Sequence, residues 1–290
     1  MCAAPARAQI RGSYTPGAAA VNSGELPDAG LTYQALVQPY SFDETKGSDG
    51  RSLSVNGKVS VFIEQNTFVW VSKLTIVGGT YAAMANLEIA SSSLTLARFG
   101  ALASASGFGD SEFSPLALGW QRPRADLQAS YSFMVPTGRF HDGAPDNIGA
   151  GYWGHFVSAG QTVYITADKG TALSIYEVYE FHGSQKETGV RPGQTFDIDY
   201  SMTQTLPLTR DKEALLQVGL VGYGQYQTTQ TRRPSGSAGD ARYKVNALGA
   251  TAAVVLPARK VSLDLKYFKE FANRATVEGQ SLQIGIAVTF

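Results

Sequence analysis

Hydrophobic and polar residues alternate with period two through most of this chain. In the closing stretch SLQIGIAVTF, Leu282, Ile284, Ile286, Val288 and Phe290 fall on one side of an extended backbone, with Ser281, Gln283, Gly285, Ala287 and Thr289 on the other. The same pattern sets Leu31, Tyr33, Ala35 and Val37 against Thr32, Gln34 and Gln38, and Tyr81, Ala83, Ala85, Leu87 and Ile89 against Met84, Asn86 and Glu88. Leu127 to Val135, Phe196 to Met202 and Val261 to Tyr267 repeat it. Weaker alternation near 57–73, 111–121, 157–167, 171–182, 213–228 and 241–256 brings the expected count to about twelve strands.

The connections fall into two kinds. Short charged turns occur at RPRAD (122–126), ADKG (167–170), LTRDK (208–212) and PARK (257–260). Longer loops containing Gly, Ser and Asn lie around 44–56, 93–110, 138–155, 183–192, 230–241 and 272–279. Short and long alternate down the chain, as in an up-and-down antiparallel barrel with one short-turn rim and one long-loop rim. A Greek-key sandwich has no reason to sort its loops this way.

Residues 9–30 carry Pro16, Pro27 and several glycines without periodicity, so the expected division is a leader or plug segment at 1–30 and a barrel at 31–290. The opening CAAPARAQ, with small Ala6 and Ala8, resembles the end of a secretory signal and predicts export. No stretch approaches the roughly 20 apolar residues of a membrane helix, so a membrane would be crossed by strands. Glycine is abundant at 31 of 290 residues, and charged residues are sparse at 17%, which suits a turn-rich all-β chain. The formal net charge of zero removes the electrostatic attraction that nucleic-acid binding needs. Cys2 is the only cysteine, so no disulfide framework or thiolate metal cluster is expected.

Alternation alone does not say whether the polar face meets water outside or a lumen inside. The fourteen Tyr and fourteen Phe, including Tyr33, Phe42, Tyr81, Tyr226, Tyr243 and Tyr267 toward strand ends, favour aromatic girdles at two membrane interfaces. On that reading Glu88, Asp197, Asp199, Lys244, Asp264 and Lys266 occupy the polar phase and face the lumen, because charges on the lipid face are costly. They are the lumen or constriction candidates. Pro136, Tyr152, Trp153 and Tyr223 are candidates for ligand capture or for interface anchoring. His141, His155 and His182 lack a partnering serine motif and read as solvated histidines, and metal-ligand spacing is absent, so no enzyme, cofactor or metal is expected.

From Ser114 onward the chain resembles a known family. PLALGWQRPRADLQASYSFMVPTGRF, DNIGAGYWGHFVSAGQTVY, SIYEVYEFHGSQKETGVRPGQTFDIDYSMTQTL and VGLVGYGQYQ are similar to successive blocks of the MetA-pathway of phenol degradation family. Pro136-Thr137-Gly138, Asn147-Ile148-Gly149, Tyr152-Trp153 and Gly222-Tyr223 carry the resemblance, which departs at HGSQKET. It implies a bacterial outer-membrane barrel associated with passive uptake of small hydrophobic or aromatic compounds, its terminal Phe290 read by the barrel-assembly machinery. The other functions left open are a structural or interaction barrel holding a partner protein at the membrane, and an outer-membrane lipid-modifying enzyme.

Overall fold

The computed structural model describes residues 11–53, 57–96, 100–237 and 241–290. Twelve strands make the wall: β1 (Gly30–Lys46), β2 (Gly57–Ile76), β3 (Gly79–Leu96), β4 (Ser111–Gln121), β5 (Ala125–Val135), β6 (Gly154–Tyr164), β7 (Thr171–His182), β8 (Thr195–Pro207), β9 (Leu215–Gln227), β10 (Lys244–Leu256), β11 (Val261–Glu270) and β12 (Val277–Thr289). Each pairs antiparallel with its neighbours in chain order, and β12 returns to β1 from Thr32↔Thr289 to Thr45↔Val277. Closure satisfies both edges of the sheet, which hydrocarbon requires.

The side-chain phase decides which face is which. Along β8, Thr195, Asp197, Asp199, Ser201 and Thr203 are buried while Met202 is 55% exposed. On β11, Lys266 and Glu270 are buried between exposed Leu263, Leu265 and Tyr267, and on β12 Ser281 and Gln283 are buried while Ile284 and Ile286 are exposed. A water-soluble sheet protein inverts this arrangement. A polar interior with an apolar outer band is the pattern of a membrane-spanning barrel. Strands β4 to β7, at 11 or 12 residues, suit the roughly 9–11 residues that a tilted strand needs to cross hydrocarbon.

This phase makes a sharp prediction. Leu265 faces outward in mid-strand, paired to Ala252 and Ile284. Leu265→Arg is expected to lower folding stability in lipid vesicles by about 2–4 kcal/mol, measured by denaturant unfolding. A change within error would mean that this face does not meet hydrocarbon.

The four predicted charged turns and a fifth all lie on one rim. The fifth, Val77-Gly78, joins β2 to β3 with both residues at positive φ, 50° and 72°, the geometry of a two-residue type I′ hairpin turn. It carries no charge and no Asn or Asp, and its one sequence mark is the Gly78-Gly79 pair. The predicted loop at 93–110 is also corrected. Above Asn86, β3 leaves β4 and pairs with an added strand, Gly100–Phe108, from Ile89↔Phe108 to Leu96↔Gly100. Ala, Ser and Gly dominate this hairpin and offer little polarity contrast, so its alternation is faint.

Candidate functional site: the lumen and its inner segment

Residues 11–29 run the length of the lumen, from the long-loop rim to the short-turn rim. At the upper end the Arg11 guanidinium donates to both carboxylate oxygens of Glu270 (2.8 and 3.1 Å) and to the Val277 carbonyl (2.6 Å). Glu270 also accepts from Tyr40 Oη (2.9 Å), Tyr223 Oη (3.0 Å), Asn273 Nδ2 (3.0 Å) and the Gly279 amide (2.8 Å). A buried carboxylate is tolerated when surrounded in this way by a cation and neutral donors.

Midway, Glu180 accepts from the Ser13 and Tyr14 amides (2.7 and 3.3 Å), and His182 Nε2 lies 3.0 Å from it. His182 Nδ1 donates to the Gly193 carbonyl (2.9 Å), since that oxygen can only accept. Asp199 holds the next turn of the segment through Tyr14 Oη (2.6 Å), the Gly17 amide (2.8 Å) and the Ala19 amide (3.2 Å). Burial, and then the Asp199 charge, push the Tyr14 phenol well up, so it remains a donor. Lys266 binds the same turn from the other side, donating to the Ala18 carbonyl (3.0 Å), and Gln283 donates to the Pro16 carbonyl (2.9 Å).

Below, backbone meets backbone. A Cβ on Gly24 would sit 1.9 Å from the Asp126 carbonyl oxygen, and one on Gly160 would sit 1.8 Å from the Ser23 oxygen, so only glycine permits this approach. Near the short-turn rim the single Tyr164 hydroxyl lies between the Glu25 and Asp126 carboxyls (2.6 Å from Asp126), and Lys169 pairs with Asp126 at 3.1 Å. Burial lifts the Glu25 carboxyl above the usual range.

Above the segment lies a chamber of about 420 Å³. Its floor is residues 11–16, and its wall includes Val61, Ile63, Met134 and Phe156 together with Glu88, Asp110 and Glu112. Asp110 staples the β5–β6 loop, accepting from the Gly138 amide (2.8 Å) and the Ala150 amide (2.7 Å). Burial raises its carboxyl above the usual range, and those two amides oppose the rise.

The predicted site residues separate. Asp199 and Lys266 both hold the inner segment. Asp264 faces inward and pairs with Lys266 at 3.6 Å. Asp197 is fully buried beside these groups, against Glu180 and its cross-strand neighbour Gln225. Glu88 belongs to the upper chamber. Tyr152 and Tyr223 are buried inside, bonded to Ser13 Oγ (3.1 Å) and to Glu270 respectively. Trp153 points the other way, 50% exposed and stacked on Phe133, as an interface anchor would be. Pro136 is half-buried just past β5 and does not line the chamber.

Two expectations need correction. Lys244 is not a lumen residue: it is exposed on the outer face of β10, 5.5 Å from the Tyr226 ring centroid. The inward phase of that strand is Tyr243, Val245 and Ala247, which pack with Phe268 around Ala20 of the inner segment. The lumen is apolar here because a protein segment, rather than water, fills it. His182 is buried, at 2% exposure, not solvated. His155 extends into β6, on whose outer face it stacks with Tyr131. Arg11, Glu112, Glu180 and Glu270 were missed. Glu270 continues the inward phase of Asp264 and Lys266 and was findable by alternation, whereas Arg11 lies in an aperiodic stretch that gives no such signal.

Known proteins give a consistent frame for this architecture. The COG4313 outer membrane channel from Pseudomonas putida F1 superposes with a TM-score of 0.76 at 16% identity, covering 93% of this chain and 98% of that one. The β domain of the Bordetella autotransporter BrkA follows at 0.56 and 12% identity, covering 91% and 100%. At these identities the likeness is one of fold. No curated protein matches the sequence. The profile of the family described as "Putative MetA-pathway of phenol degradation" matches residues 42–285, and the chain belongs to that family.

Proposed function

We propose that this protein is a bacterial outer-membrane channel for passive entry of small, mostly apolar molecules, aromatic compounds foremost. The observation that carries the reading is a mixed apolar and polar chamber of about 420 Å³ at the long-loop end of a closed barrel, within the size range of small-molecule sites. Membership of a family described by phenol degradation supports the choice of solute. So does the likeness in fold to the COG4313 outer membrane channel. In this reading the long-loop rim faces outward, as in other such barrels. Exposed Trp153 and Phe108 collect apolar solutes there, and residues 11–29 act as a plug beneath the chamber. The terminal strand with Phe290 serves recognition by the assembly machinery. No cofactor takes part.

Proteoliposomes provide the test. Phenol and toluene are expected to enter faster than into protein-free vesicles, while a hexose of larger polar surface does not. Entry of none of them would favour a sealed structural or interaction barrel, and equal entry of all a general pore. Flat phospholipid turnover in the same vesicles is the expected result for a protein that is not a lipid enzyme.

A further inference from the structure

The upper chamber has an unbalanced charge inventory. Its lining carries Glu88, Asp110, Glu112 and Glu270, while its one basic side chain is Arg11. Arg11 is held bidentately by Glu270, and Asp110 by two loop amides. That leaves Glu88 and Glu112 beside an apolar wall with no cation bound to either among the described residues. Each takes a neutral donor, Glu88 from Gln65 and Glu112 from Ser132 Oγ at 2.5 Å. Gln225, 1% exposed on the opposite wall of the same chamber, is met by Asp197, its cross-strand neighbour. Both carboxyls are half-buried, and a carboxyl against apolar surroundings is costly unless a partner meets it.

We infer that the chamber selects aromatic solutes carrying a hydrogen-bond donor, a phenolic hydroxyl or an amine. The ring sits among Val61, Ile63, Met134 and Phe156, and the donor is received by Glu88 or Glu112. Aromatic carboxylates are rejected, because they bring a second acceptor and a like charge to the same wall. The inference rests on the channel reading for its physiological meaning. Its chemistry concerns binding alone.

Equilibrium binding to detergent-purified protein tests it, with benzylamine, phenol, toluene and benzoate as probes followed by calorimetry or saturation-transfer NMR. Benzylamine and phenol are expected to bind at least about tenfold more tightly than benzoate, the scale of one charge-assisted hydrogen bond. In a Glu88→Gln/Glu112→Gln variant the preference of benzylamine over benzoate should collapse, with toluene binding unchanged. Benzoate binding as tightly as benzylamine to the unaltered protein, a preference that survives in the double variant, or no binding of any probe would each overturn the inference. Should the double variant fail to fold, the comparison in the unaltered protein decides. Failure of the channel reading looks different: the binding preference stands, but phenol and toluene do not cross proteoliposomes.

Discussion

Removal of residues 11–29 should raise single-channel conductance several-fold while leaving the barrel folded. Eight-stranded barrels are filled by their own side chains and sixteen-stranded ones hold open water, so a twelve-stranded lumen is wide enough to conduct once cleared. Here the segment occupies that space: Arg11 meets β11 at the top, Asp199 and Lys266 grip the turn at 15–19, and Gly24 lies on Asp126 and Thr162 below. The wall does not depend on it for backbone pairing, since all twelve ladders close without it. Deletion does strip partners from Glu180, Asp199 and Lys266, but entering water can hydrate them. The truncated chain should therefore keep its strand content by circular dichroism and its resistance to unfolding in detergent at low temperature. Planar-bilayer recordings give the decisive number, and a conductance equal to that of the intact chain would show that the segment does not limit flow. A graded version uses Gly160→Val, which places methyl groups where the Ser23 carbonyl now lies and should push the segment off the wall without shortening the chain.

How much of this was legible in the sequence follows from what alternation can encode. Period two reports the difference between the two faces of a strand, and β8 and β12 are read correctly because hydrocarbon lies on one side and polar groups on the other. The rule fails where the lumen is itself apolar. At β10 the inward residues Val245 and Ala247 touch Ala20 of the inner segment, so the polar residue next to them, Lys244, was assigned to the wrong face. The hairpin at Gly100–Phe108 was missed for the opposite reason, its small residues giving neither face a signature. Residues 11–29 have no period because they make no ladder; their backbone groups are bonded one at a time by wall side chains such as Glu180, Lys266 and Gln283. Such bonds join residues far apart in sequence and leave no local trace. The acidic chamber is equally non-local, since Glu88, Asp110 and Glu112 come together only where β3 parts from β4.

Glu270→Ala should unlatch the same segment from its upper end and cost more than Arg11→Ala. In the intact protein Glu270 is the shared acceptor for a guanidinium, two phenols, an amide side chain and a backbone amide. Without Arg11 the carboxylate retains Tyr40, Tyr223, Asn273 and Gly279 as donors, so the loss is close to that of a hydrogen bond to a charged group, about 1.5–3 kcal/mol. Without Glu270 the guanidinium loses its counter-charge inside the lumen, which costs about 3–5 kcal/mol if it stays buried. The Arg11 side chain is 22% exposed at the chamber floor, so it has an alternative: it can swing up into the chamber and draw residues 11–16 with it. Glu270→Ala is then expected to raise conductance toward that of the truncated chain, whereas Arg11→Ala raises it less because Asp199 still holds Tyr14 and Gly17. Combining both substitutions removes the unpaired charge, and the pair should be more stable than Glu270→Ala alone. A double-mutant cycle by denaturant unfolding measures that coupling; strictly additive effects would mean that the two groups do not form a latch, and that Glu270 serves only the wall around Tyr223 and Asn273.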